Sequence, residues 1–138
     1  MHAPPYILIA DDEANIAAVL AEVLTDEGYN VRVVYDGASA LAAIRDHPPA
    51  LIRLDNMMPG ITGLDVLRAV GAQGFDNLPT IMMSAASSAA AFLRAGATDF
   101  LSKPFFLDEL LDCIEHYMGA TRLSPARSTH VKTLERRV

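Results

Sequence analysis

The 138 residues are 51% hydrophobic and 20% charged, which suits one globular domain with a real core and leaves little room for a second. No apolar run approaches the ~18–20 residues of a membrane span, Met1 to Pro5 have neither the basic nor the apolar region of a secretory signal, and the lone Cys113 cannot form an intrachain disulfide, so a cytoplasmic protein is expected. The net charge of −6 is uneven: 16 acidic residues face six basic ones up to Ala120, whereas Thr121 to Val138 carries five basic residues against Glu135, so the domain itself is a poor binder of nucleic acid.

Tyr6 to Ala10 is a short apolar run that predicts a buried strand. Ile16, Val19, Leu20, Val23 and Leu24 then recur at helical spacing, and Gly28 is placed to end that helix. Val31 to Tyr35 is β-branched and short, a second strand. Asp36 is a cap for a helix from Gly37 to Asp46, stopped by Pro48-Pro49. Leu51 to Asp55 predicts a third strand and Gly63 to Val70 a short helix. Thr80 to Ser84 predicts a fourth strand, and Ala86 to Ala95 a weakly patterned, alanine-rich helix. Asp99 to Ser102 predicts a fifth strand, and Leu107, Leu110, Leu111, Ile114 and Met118 mark a last amphipathic helix. Five strand–helix repeats imply an α/β fold with a doubly wound parallel sheet, spanning residues 1–120. Residues 121–138 read as a basic tail or linker remnant.

In such a sheet, ligands bind beyond the carboxyl ends of the strands. The first strand ends in Asp11-Asp12, the third in Asp55, the fourth in Ser84 and the fifth in Lys103-Pro104. Carboxylates gathered on one edge repel unless a cation joins them. A few oxygen ligands suit Mg²⁺, which keeps several waters and takes one or two carboxylates plus phosphate. Lys103 adds a movable positive charge. A carboxylate facing a metal, a lysine and a hydroxyl is a nucleophile for phosphoryl transfer, with the positive groups neutralising the equatorial oxygens.

The strings Ile9-Ala10-Asp11-Asp12-Glu13, Leu54-Asp55-Asn56-Met57-Met58-Pro59-Gly60, Met83-Ser84-Ala85 and Ala97 to Phe105 resemble the receiver domains of two-component response regulators. The resemblance covers about Tyr6 to Met118, and four motifs in order at the right strand ends make it specific. It implies a flavodoxin-like (βα)5 fold with strand order 2-1-3-4-5. It implies that Asp55 accepts a phosphoryl group from a histidine kinase or phosphotransfer protein. Asp12, Asp55 and the Met57 backbone carbonyl are then expected to hold Mg²⁺, with Asp11 assisting. Lys103 is expected to pair with Asp55, Ser84 and Phe100 to act as the switch pair, and the Lys103–Pro104 bond to be cis. Such a domain catalyses only its own phosphorylation and dephosphorylation.

Three positions depart from the family pattern. Arg53 stands two residues before Asp55, on the same strand face, where an aliphatic residue is usual. It is read first as a structural ion pair or a snorkelling side chain, and second as a source of positive charge that weakens the acid pocket's need for metal. The segment between Ser84 and Gly96-Ala97 is about three residues short, which predicts a fourth helix about one turn shorter. It also predicts a partner surface unlike the usual one, on a monomer or weak dimer. Phe106 stands where a capping side chain is common, and core packing is expected for it ahead of an exposed aromatic that serves a partner contact. Met57 and Met58 are read as packing residues and Cys113 as a partly buried small residue. His2, His47, His116 and His130 lack ligand spacing.

The expected function is a signalling receiver that works by contact with a downstream protein, without membrane or nucleic-acid binding. A phosphatase of the haloacid-dehalogenase type is the enzymatic alternative, but it requires Asp-x-Asp on the first strand, not the adjacent Asp11-Asp12 seen here. A receiver cut from a larger regulator is the third reading, with the tail as its linker.

Overall fold

The computed structural model describes residues 4–75, 77–85 and 89–119. In chain order the elements are β1 (Ile7–Ala10), α1 (Ala14–Asp26), β2 (Val31–Val34), α2 (Gly37–Asp46), β3 (Leu51–Asp55), α3 (Gly63–Ala72), β4 (Thr80–Ser84), α4 (Ala89–Arg94), β5 (Asp99–Ser102) and α5 (Leu107–Met118). The five strands form one parallel sheet in the order β2-β1-β3-β4-β5, so the flavodoxin-like expectation holds. The chain winds from β1 out to β2 and then crosses back to β3. That reversal opens a crevice at the carboxyl ends of β1 and β3.

Local chemistry explains the boundaries. Asp36 accepts a 2.7 Å hydrogen bond from the Ser39 N–H, capping α2 as expected. At α3, the Asp65 N–H donates to Thr62 Oγ1 while the Thr62 N–H donates to the Asp65 carboxylate, a reciprocal cap. Gly28 adopts a φ of 97° behind α1, the left-handed turn that ends a helix at little cost in glycine. The Lys103–Pro104 bond is cis.

β1, β3 and β4 are buried along their whole length, as strands covered on both faces must be. Alternation then divides their side chains. Leu8, Ala10, Ile52, Leu54 and Met82 pack with residues of α2, α3 and α4. Ile7, Ile9, Leu51, Ile81 and Met83 pack with residues of α1 and α5.

Two packing expectations need correction. Met58 is buried, but Met57 is 68% exposed, because its side chain leaves the sheet in the loop beyond β3. Phe106 is exposed rather than in the core. It occupies the turn into α5, where its backbone N–H donates to Glu109 Oε1 at 2.9 Å and its carbonyl accepts from the Glu109 N–H at 3.1 Å, so that turn is closed by Glu109 and the backbone without a capping side chain. Helix α4 is short, with six described residues. Ala86, where that helix was expected to begin, lies outside the described residues, as does the tail from Thr121.

Candidate functional site

Each strand end delivers one piece of the site. β1 runs into Asp11 and Asp12, and one carboxylate oxygen from each of Asp11, Asp12 and Asp55 lies within 4.8 Å of the others. β3 ends on Asp55, which is buried and whose Oδ2 has no hydrogen-bond partner among the described residues. The loop after β5 brings Lys103 Nζ to 3.1 Å from Asp55 Oδ1, an ion pair at the mouth of the site. Asp12, Glu13, Asp55, Met57, Ala85 and Lys103 line one open depression of about 340 Å³. Its floor is the buried Asp55 and its rim is exposed.

Electrostatics follow from that placement. Burial raises the pKa of Asp55 above the ordinary carboxylate value, and the neighbouring Asp11 charge raises it further; Lys103 and Arg53 pull the other way without cancelling the effect. Clustered oxygens with an unsatisfied buried carboxylate at their centre match the donor set of a hard divalent cation. The backbone around Asp55 is fixed as well. The Asn56 side-chain oxygen accepts from the Leu64 N–H at 3.1 Å and the Asn56 carbonyl accepts from the Gly63 N–H at 3.0 Å, tying the β3 end to the start of α3. Only glycine fits at position 63, where a Cβ would stand 2.5 Å from the Asp55 carbonyl oxygen.

The structure separates residues that share a motif. Asp11 is buried beneath the depression, not on its rim: its Oδ2 is paired with Arg53 Nη1, and its Oδ1 accepts from the Glu13 N–H at 2.9 Å. The ion-pair reading of Arg53 is thus the one observed. Ser84 is buried at the end of β4, one residue past the Asp55–Met83 pairing. Phe100 is half-buried on the far side of the sheet, stacked on Phe92 of α4 with ring centroids 5.5 Å apart. Two residues lacked an assigned role in the sequence. Glu13 reaches Lys103 at 3.5 Å, competing with Asp55 for the ammonium, and Asn56 anchors the loop. The acid following Asp11-Asp12 was a visible signal for the first; nothing local marked the second.

The receiver domain of response regulators, taken as a family model, matches residues 7–115, and the chain belongs to that family. It is 34% identical over 132 residues to the DNA-binding response regulator MtrA of Mycolicibacterium paratuberculosis, covering 94% of this chain but 58% of that protein. The chain therefore spans little more than half the length of such relatives. Among solved structures, the receiver domain of the Francisella response regulator 1452 superposes with a TM-score of 0.80 at 32% identity, covering 86% of this chain and 99% of that one. The receiver domain of NtrX from Brucella abortus gives 0.75 at 38% identity, covering 83% and 98%. This is a receiver domain of two-component signalling, with an acidic cluster that fits a phosphorylation site, and the haloacid-dehalogenase alternative falls. Among the described residues no helix is long and apolar enough to cross a membrane.

Proposed function

We propose that Asp55 is the phospho-acceptor, taking the phosphoryl group from a histidine kinase or a phosphotransfer protein. The observation that carries this is the buried Asp55 carboxylate facing the Lys103 ammonium at 3.1 Å. An Asp55 oxygen attacks phosphorus, the phosphorus–nitrogen bond to the donor imidazole breaks, and the electron pair stays with that nitrogen. Lys103 exchanges its contact with Asp55 for one with the new phosphoryl oxygens. Asp12, Asp55 and the Met57 carbonyl are the residues that would hold Mg²⁺, which when bound neutralises charge on phosphate oxygens.

Ser84 and Phe100 form the switch in this reading. The Ser84 hydroxyl moves to donate to a phosphoryl oxygen, and Phe100 turns toward the space it leaves. Phe100 stacks on α4 through Phe92, so the phosphorylated state selects a different α4–β5–α5 surface. That surface is assigned to a downstream protein partner, in a monomeric or weakly dimeric cytoplasmic protein. The acidic domain disfavours direct contact with nucleic acid.

Incubation with a panel of histidine kinases, or with a small-molecule phosphodonor, followed by intact-mass measurement is the test. Wild-type protein gains one phosphoryl group in the presence of Mg²⁺, and Asp55→Ala gains none. Equal labelling of the variant would refute Asp55 as acceptor.

A further inference from the structure

Arg53 sits in the middle of the central strand. It is paired in register with Ile9 on β1 and Ile81 on β4, and it is wholly buried. Its Nη1 holds Asp11 Oδ2, while its Nε and Nη2 have no hydrogen-bond partner among the described residues. Among the described residues Asp11 is therefore the one acceptor that keeps this guanidinium from being a lone charge in an apolar layer. The remaining Asp11 oxygen is taken by the Glu13 N–H. From where it stands, Asp11 can offer a cation only the remaining lone pair of Oδ1. To move closer or to turn Oδ2 toward the depression it would have to abandon Arg53, and a buried ion pair that loses one partner is strongly disfavoured.

We infer that Arg53 is a positioning residue that tethers Asp11 and offsets its charge at the metal site. The divalent cation is left to Asp12, Asp55 and the Met57 carbonyl, and a permanent internal cation stands beneath them. The inference rests on the metal reading given under Proposed function and adds a consequence to it. With the Asp11 charge offset by Arg53, the cluster attracts a cation as two carboxylates would, and the Arg53 charge lowers the affinity for Mg²⁺ that three free carboxylates would give. A cation fixed within several ångströms in a partly buried setting repels a second cation appreciably. The site is thus tuned toward weak Mg²⁺ occupancy in the unphosphorylated state.

Isothermal titration of Mg²⁺ into the full chain tests this without reference to phosphorylation, with folding of each variant checked by thermal melting. Arg53→Met frees Asp11 and removes the competing charge, and its Mg²⁺ affinity is expected to rise roughly tenfold. Arg53→Met combined with Asp11→Asn removes the pair as a neutral unit, and its affinity is expected to stay within about threefold of wild type, since one charge of each sign is lost. An Arg53→Met protein that binds no more tightly than wild type overturns the inference. So does a tenfold loss in the double variant, which would make Asp11 a ligand despite its partner. If Arg53→Met alone does not fold, Arg53→Gln, which removes the charge but can still hydrogen-bond Asp11, is titrated in its place with the same expected rise and the same overturning result. Absence of Mg²⁺ binding in wild type and variants alike would overturn the metal reading itself and this inference with it.

Discussion

The two faces of the sheet are built from alternate residues of the same strands, yet they solve different problems. Under α2, α3 and α4 the strand positions of β1 and β3 are apolar throughout, β4 adds the uncharged Thr80 and Ser84 around Met82, and the layer is held mainly by packing. Under α1 and α5 the same strand β3 climbs from Leu51 through Arg53 to Asp55, passing from core to chemistry in five residues. The difference teaches that the functional edge is not a polar patch resting on an apolar floor. Its charge reaches one layer into the core and is balanced there by a partner from β1.

The sharpest way to break this comparison is to remove one charge. Asp11→Ala should destabilise by about 3–5 kcal/mol, because it strands the Arg53 guanidinium. Adding Arg53→Leu should recover most of that loss, although each change alone is harmful. Urea unfolding of the single and double variants measures it, and additive losses would show that the pair is not the unit described here. On the apolar face, Leu54→Ala should cost about 2–5 kcal/mol through the cavity it leaves. No second truncation there should restore stability.

A smaller effect is expected where the two faces meet the loop. Gly63→Ala places a Cβ against the Asp55 carbonyl and the Asn56 Cα, at 2.5 and 2.8 Å. It should cost about 1–3 kcal/mol by forcing the start of α3 off the end of β3. Chemical denaturation checks this, and an unchanged midpoint would mean that α3 can move freely without disturbing the site.

The smallest expected effect is a matter of pH. Burial, then the Asp11 charge, raise the Asp55 pKa above its unfolded value of 3.8, so the folded state favours the protonated carboxyl. That favourable contribution is fully present below pH 3.8 and is lost as pH rises through the folded value. Without metal, Asp55→Asn should therefore melt slightly higher than wild type at neutral pH, and the gap should close toward acid. Melting curves in chelator across that range test the sign. A variant less stable than wild type at neutral pH would show that the Lys103 pair outweighs burial.

Much of the fold was legible in the chain. Apolar runs gave β3 and β4 at their observed limits, because burial imposes that pattern directly, and the Asp36 cap with the Pro48-Pro49 stop gave those of α2. The strand-end acids, Ser84 and Lys103 could be gathered on one edge from topology alone, since parallel strands place their carboxyl ends together. What the chain could not show was depth. Asp11 and Asp12 are adjacent and chemically identical in sequence, yet one is buried under the site and the other exposed on its rim. Met57 and Met58 divide the same way between surface and core.

The sequence by itself determined the receiver architecture, the acid cluster and the presence of an arginine on the phospho-acceptor strand, because residue type and spacing suffice for each. Only the tertiary structure decided what that arginine does. Its partner is 42 positions away along the chain, and it is the register of β1 against β3 that sets Arg53 beside Asp11 and apart from the open depression.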